Sequence, residues 1–552
     1  MSAIEMKKND VCVVNAHVVT MDERRSIAQA FRVRDGVIVA IGDRNHVVGE
    51  LADANVVDLG GATVLPGLID AHSHLELLAY SWEIAVDCRS TRVSSVAELV
   101  EALREKAQAT EAGRWVMGQG EHYQNLKFAE RRYPDRHDLD RVSTRHPVLY
   151  RASYHINVFN SFALELLGVD DTTPNAPGGR IERGDDGVAT GRTYDMFAAL
   201  GGPQPAMDVL SEGIKRVQQR YLAVGVTTLG DIPLHPEGLD ALQRLAKADA
   251  LALRVSTYPK LPTVMSKADI TSPVFRSRFS GVDAAHLQLS GVKIFLDGGL
   301  TAGAAALHDD YPGKPGYRGE LAFGDDEVRE IVRLVDDAGL QIAMHAIGDR
   351  ALDQAIEAIE ALPATRRGMI RHRIEHAGNM FMTPERVKRL AQAQIVPVPQ
   401  PAFLLTTAVG YIAHLGRERI GTVMPFRTLI DNGLPVPGNS DAIGITADQH
   451  DPFPAMQAAV ARRTKDGTVL DSQEAVSVDE ALTMYTRWAA YSLGREAEIG
   501  SLEVGKRADF VVTSVDPMKV ADLGDVTVES TWIDGRLCYT RAGATSATVP
   551  CA

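Results

Sequence analysis

The chain has 552 residues, 45% apolar and 24% charged, values of a folded protein with a large core rather than of a disordered, collagen-like or coiled-coil chain. Lys plus Arg total 58 against 72 Asp plus Glu, and a formal charge of −14 repels phosphate backbones and anionic lipid, which sets nucleic-acid and membrane-surface roles aside. No apolar run reaches the length of a membrane span, since the longest, 402–415, is broken by Thr406, Thr407 and Gly410.

Residues 1–10 are polar and lack the apolar stretch of a secretory signal, so a cytoplasmic protein is expected. Short strands are predicted at 11–14, 30–33, 37–41 and 55–59, with a hairpin turn at Asp35-Gly36. The last fifty residues repeat that texture at 509–513, 526–533 and 537–539, with a second turn at Asp534-Gly535. The two ends are expected to build one composite β-sandwich, from 1–64 and 501–552.

Between them, over 65–500, short apolar runs alternate with amphipathic stretches: 63–69, 225–229, 253–258, 291–296, 341–344, 371–374, 395–398 and 434–437. These eight runs predict an α/β fold, a TIM-like (β/α)8 barrel with its active site at the C-terminal ends of the strands. About 150 residues separate the first run from the second, far more than a βα loop needs, and read as an insertion spanning about 80–205. It holds a predicted helix over 96–110, strands at 115–117 and 148–150, and a Pro/Gly-rich passage over 174–187. An insertion at the mouth of a barrel is expected to shape or cover the substrate pocket. Cys12, Cys88, Cys538 and Cys551 have no CxxC spacing and are expected to be buried or incidental thiols.

The residues closing the apolar runs are biased toward metal-ligand types: His72-Ser73-His74, Asp231, Lys293, His345, Glu375-His376 and Ser440-Asp441. Side chains two apart on a strand point the same way, so His72 and His74 can present both imidazoles to one ion. A lone His-x-His is common on surfaces. What distinguishes this one is that His345, His376 and Asp441 end later strands of the same set. The structural alternatives are a Lys293 paired with a carboxylate such as Asp297, and an Asp441 that caps a helix after the eighth strand.

Carried by these residues, the chain resembles the metal-dependent amidohydrolase superfamily and, within it, amidohydrolase family 3, the YtcJ-like branch. The similarity runs from Leu65-Pro66-Gly67-Leu68-Ile69-Asp70-Ala71-His72-Ser73-His74 through His155 with Asn160-Ser161, and Gly225-Val226-Thr227-Thr228. It continues over 291–298, 345–350, Arg373-Ile374-Glu375-His376, Gln400-Pro401 and Ser440-Asp441 to 500–509. The resemblance implies one or two divalent metal ions, usually Zn2+. His72, His74 and Asp441 would hold the more buried ion and His345 and His376 the outer one. Lys293, as a carbamate formed with carbon dioxide, would bridge them.

It further implies attack of a metal-activated hydroxide on a small-molecule amide, N-acyl or N-formyl, with Asp441 moving a proton from the water to the leaving amine. His155, within Tyr154-His155-Ile156-Asn157, is expected as a catalytic contact to the substrate carbonyl or oxyanion. Asp297, His122 and Gln400 are expected as substrate contacts, with Tyr123 and His308 as lesser candidates. A homo-oligomer, a dimer, is expected.

Departures from the family pattern fall in the presumed substrate loops. Gly299-Leu300-Thr301-Ala302-Gly303-Ala304 follows Asp297-Gly298 where relatives often carry an Arg-Thr pair. Gly118-Gln119-Gly120-Glu121-His122 stands where they tend to have a tryptophan, Asp195 where they tend to have glutamate, and Asn439 for a glycine. The pocket wall therefore differs, and substrate identity does not carry over. A mononuclear deaminase is disfavoured because Gly348 stands three residues after His345, where ring deaminases place a glutamate. Ester or lactone hydrolysis by the same chemistry stays open. A non-catalytic scaffold would usually lack the ligands, and Gly178-Gly179 and Gly298-Gly299 lack the spacing of a phosphate cradle.

Overall fold

The computed structural model describes residues 10–48, 55–176, 179–196, 200–203 and 205–542. Cys551 and Gly178 lie outside the described residues. The run predicted at 63–69 is two strands that serve different sheets. Thr63–Pro66 and Leu68–Ser73 part at Gly67, whose N–H donates to Asp509 O at 2.8 Å. A Cβ on Gly67 would lie 2.2 Å from Thr227 Oγ1, so only glycine fits the bend.

Thr63–Pro66 pairs antiparallel with Phe510–Thr513 and parallel with His17–Val19, inside a six-stranded sheet that also holds Ile27–Ala28, Val528–Ile533 and Arg536–Thr540. Asp10–Val14, Ala30–Arg34, Val37–Gly42 and Asn55–Asp58 form a second sheet. Val13, Phe31, Ile38, Val64, Phe510 and Trp532 from the two sheets share one apolar core, in which Phe510 stacks on Trp532 at 5.2 Å. Both predicted hairpin turns have the left-handed backbone that Asp-Gly supplies, with φ of 52° and 80° at Asp35-Gly36 and 53° and 70° at Asp534-Gly535.

The middle of the chain contributes two parallel four-stranded sheets. One holds Leu68–Ser73, Val226–Asp231, Arg254–Thr257 and Leu287–Leu289; the other holds Gly291–Phe295, Gln341–His345, Arg373–Glu375 and Val396–Val398. A parallel bridge between Lys260 and Lys293 links them on one side. The fourth predicted run is thus preceded by a short strand of its own, and the two meet at Ser290. The segment predicted as an eighth strand, 434–437, is not one. Pro435 and Pro437 have no N–H to give a ladder. The chain just beyond it still joins the first strand, through Ala71 N to Gly438 O at 3.1 Å and Asp441 N to His72 O at 2.8 Å.

Amphipathic helices cover these sheets. Asp325–Asp337 is typical: Asp325, Asp326 and Glu327 lie at its positive N-terminal end, and Val328, Ile331, Val332 and Val335 bury one stripe. Packing between neighbouring strands is tight. A Cβ on Gly230 would lie 2.2 Å from the backbone oxygen of Ala71, so Gly230→Ala should cost about 1–3 kcal/mol, read as a lower thermal midpoint.

The insertion builds a six-stranded sheet in the order Arg180–Arg183, Ala189–Tyr194, Ile156–Phe159, Val148–Arg151, Val116–Gln119, Val86–Asp87. Its predicted helix runs Val96–Gln108, begun by Ser95, whose hydroxyl accepts from Glu98 N. Cys12 and Cys88 are buried and Cys538 partly so, all as free thiols. No helix among the described residues is long and apolar enough to cross a membrane.

Candidate metal centre

His72 and His74 close the Leu68–Ser73 strand, and Asp441 reaches them from the segment paired beside it. One ligand atom from each lies within 4.8 Å of the others. Asp441 Oδ1 is 3.2 Å from His74 Nε2 and 3.4 Å from His72 Nε2. Asp441 caps no helix: its φ is 48°, and the next described helix, Pro452–Ala461, is capped by Asp451. His376, His345 and His72 follow in a row, with ring centroids 4.6 Å apart for His345 and His376 and 5.6 Å apart for His72 and His376.

A set of outer partners fixes these rings. His72 Nδ1 lies 2.6 Å from Glu375 Oε2, and Glu375 in turn accepts from Arg373 Nε at 2.5 Å. His74 Nδ1 meets Ile232 O at 2.8 Å, and His376 Nδ1 meets Gln400 Oε1 at 2.7 Å. With Nδ1 engaged on three rings, Nε2 is the nitrogen each has left to offer. Burial, aided by the nearby Lys293 charge, pushes His72 down to about 3. Burial also takes His376 to about 4 and His345 well below its usual value, so these rings are neutral, the form that binds a cation. Burial alone would raise the Asp441 carboxyl, but the imidazoles of His72, His74 and His376 hold it well below the usual carboxylate range.

Lys293 is fully buried, its Nζ has no hydrogen-bond partner, and burial brings its amine down to about 8. The alternative pairing with Asp297 is not found. Asp297 accepts instead from the backbone N–H groups of Ala306 (2.9 Å), Ile347 (3.0 Å) and Gly348 (2.8 Å), and lies 3.7 Å from His345 Nε2.

These groups open into a cleft walled by Leu234, Leu300, Phe403, Tyr411, Ile443 and Ile445. The insertion supplies His122, whose Nδ1 has no partner, and His155, whose Nδ1 hydrogen-bonds Asp195 Oδ1. Burial works against a charged His155, but the Asp195 carboxylate outweighs it and raises the imidazole above its ordinary value.

Of the expected substrate contacts, Asp297 and Gln400 are not among the residues that line the cleft: the carboxylate of one accepts from backbone N–H groups, and the amide oxygen of the other is engaged by His376 and Asn379. Of the lesser candidates, Tyr123 is not among the lining residues, and His308 is an exposed side chain bonded to Asp353 at 2.9 Å. Sequence reasoning gave no orienting role to Glu375 and Arg373 behind His72, to Asp195 behind His155, or to Asp70, which accepts from Ser440 N at 3.0 Å and Ser440 Oγ at 2.5 Å. A charged residue inside an apolar run was the available signal for the first two and for Asp70.

Neutral imidazoles, an ionised carboxylate and a buried amine gathered in one cleft at strand ends make up the equipment of a hydrolase. The chain belongs to the amidohydrolase family, whose profile it matches over residues 55–539, and it cleaves amide-type carbon–nitrogen bonds. It is 31% identical to the N-substituted formamide deformylase of Arthrobacter pascens, over 97% of this chain and 99% of that one. Its fold is similar to that of a metal-dependent hydrolase from Pyrococcus horikoshii OT3, with a TM-score of 0.75 and 25% identity over 94% of this chain and 99% of the other. A metal-dependent hydrolase from Pyrococcus furiosus matches with a TM-score of 0.71 and 27% identity, over 92% and 100%.

Proposed function

We propose that the chain is a divalent-metal hydrolase of neutral N-formyl or N-acyl amides. On this reading the two parallel sheets are halves of a (β/α)8 barrel over 65–500, with the insertion of about 80–205 at its mouth and residues 1–64 and 501–552 as a composite β-sandwich. The Lys260–Lys293 bridge on one side and the Ala71–Gly438 and His72–Asp441 hydrogen bonds on the other support closure. A cytoplasmic homodimer remains the expectation, decided by cell fractionation and sedimentation.

The observation that carries the metal reading is the Lys293 amine, buried without a partner among imidazoles whose outer nitrogens are already engaged. An unsatisfied buried polar group costs about 1–3 kcal/mol, which a ligand shared with those rings would offset. His72, His74 and Asp441 would hold one cation and His345 and His376 a second. Lys293 would bridge them after its amine nitrogen bonds the carbon of carbon dioxide and loses a proton. Zn2+ suits this set of nitrogen and oxygen donors.

Such cations polarise an acyl oxygen and make a water acidic enough to lose its proton near neutrality. The carboxylate of Asp441, ionised throughout the physiological range, accepts that proton and returns it to the leaving nitrogen. His155 donates to the acyl oxygen through its Nε2–H. None of the described lining residues is an arginine, and the apolar wall favours an uncharged substituent on the amide nitrogen. The relative from Arthrobacter pascens is, by its name, a deformylase of N-substituted formamides.

Metal content per chain, by plasma mass spectrometry on protein grown with zinc and bicarbonate, tests the centre. About two ions are expected, with one or none in Lys293→Ala. About one ion, unchanged by the mutation, would demote Lys293 to a structural residue. Formate or carboxylate release from a panel of N-formyl and N-acyl amines tests the substrate class. Gln400→Ala should weaken metal binding about 10–100-fold by freeing the His376 ring, as titration with a metal-buffering chelator would read.

A further inference from the structure

The insertion carries a residue placed to act on the chemistry without touching substrate. His155 and Asp195 are brought together by the sheet ladder: Ile156 pairs with Tyr194, and Asp195 N donates to His155 O at 2.9 Å. Their side chains then meet, His155 Nδ1–H donating to Asp195 Oδ1. The Asp195 backbone is held at φ 51°, in the left-handed region, and its Oδ2 is buried without a hydrogen-bond partner.

The loop after Lys293 is shaped to admit this pair. A Cβ on Gly298 would lie 2.8 Å from Asp195 Oδ2, and a Cβ on Gly299 would lie 2.7 Å from His155 Cγ. The His155 ring packs 6.2 Å from that of His345, so the pair reaches the edge of the ligand cluster. A carboxylate on Nδ1–H fixes the plane of an imidazole and stabilises its doubly protonated form, whose Nε2–H can then donate to a ligand oxygen.

We propose that Asp195 is a positioning residue that holds His155 with Nδ1–H turned to its own carboxylate and Nε2–H turned into the cleft, where it donates to the acyl oxygen of the substrate. The seat built by Gly298 and Gly299 is part of the device. This rests on the amide-hydrolase reading above, because the contact it positions is the one assigned to His155 there.

The test combines kinetics with a measurement that needs no substrate. Asp195→Ala should lower kcat about 10–100-fold on an N-alkylformamide with little change in KM, and leave metal content as in the parent. Asp195→Asn, which keeps an accepting oxygen, should fall between the two. The double variant Asp195→Ala, His155→Ala should be no slower than His155→Ala alone, since a positioning residue has nothing to act on once the ring is gone.

In 15N-edited NMR the parent should show a downfield His155 Nδ1–H signal that Asp195→Ala abolishes. Losses that multiply in the double variant, unchanged kcat in Asp195→Ala, or a fall in metal content that accounts for the lost rate would each overturn the proposal. If the parent hydrolyses no amide, the functional reading fails instead. The NMR signal then decides alone whether Asp195 fixes the ring: its absence in the parent overturns the pairing, and its loss in Asp195→Ala upholds it.

Discussion

Asp441→Asn should lower kcat for amide hydrolysis by about 10²–10⁴-fold, the loss typical of removing a positioned acid–base group. The carboxylate sits within 3.4 Å of two imidazole nitrogens and is the ionised oxygen donor of its cluster. Asparagine has the same shape, and its amide neither accepts the proton of an attacking water nor holds a cation as well. The backbone should tolerate the change, since φ at this position is 48° and asparagine is among the residues that adopt that region readily. Formate release together with a thermal melt separates the two effects: a large rate loss at an unchanged midpoint is expected. Activity within about tenfold of the parent would remove Asp441 from the proton path.

The second large effect is on stability. Arg254 is fully buried at the start of the third parallel strand and donates to Asp509 at 2.6 and 2.9 Å and to Asp534 at 2.6 Å. Those carboxylates belong to the sheet of Phe510–Thr513 and the hairpin beside it, so one guanidinium ties the two regions together. Arg254→Ala leaves buried negative charge without a partner and should cost about 3–5 kcal/mol, read as an earlier denaturant midpoint. Adding Asp509→Asn should recover part of that loss by removing one stranded charge. An unchanged midpoint in Arg254→Ala would show that the network is solvated and contributes little.

The grouping of His72, His74, His345, His376 and Asp441 in one cleft was legible in the sequence because these residues follow a strand period. His72 and His74 are two apart, and His345, His376 and Asp441 close later apolar runs, so spacing and position sufficed. The residues that orient those rings were not legible. Glu375 and Gln400 act from behind the ligands, and their separations from His72 and His376, 303 and 24 residues, are set by which strands lie side by side.

Asp195 is of the same kind, found 40 residues from His155 only through a ladder register. Two of the six strands of the insertion's sheet were foreseen; Arg180–Arg183 and Ala189–Tyr194 were not, because they are short and rich in polar side chains, and the first lies within a passage whose Pro and Gly content reads as loop. The eighth run was assigned the wrong state. Its apolar residues alternate with Pro435 and Pro437, which keep the segment extended and deny it a ladder.

The Thr63–Pro66 strand lies between His17–Val19, made early, and Phe510–Thr513, made more than four hundred residues later. During synthesis at about 5–20 residues per second, its second edge therefore stays unpaired for on the order of 20 to 90 seconds. Through that interval a buried strand of the finished protein is an open template, and the Leu68–Ser73 strand that carries His72 hangs from it. The nascent chain is thus most vulnerable to mispairing and to chaperone capture over this stretch, and the anchoring of the first histidine pair is completed near the end of translation rather than at its start.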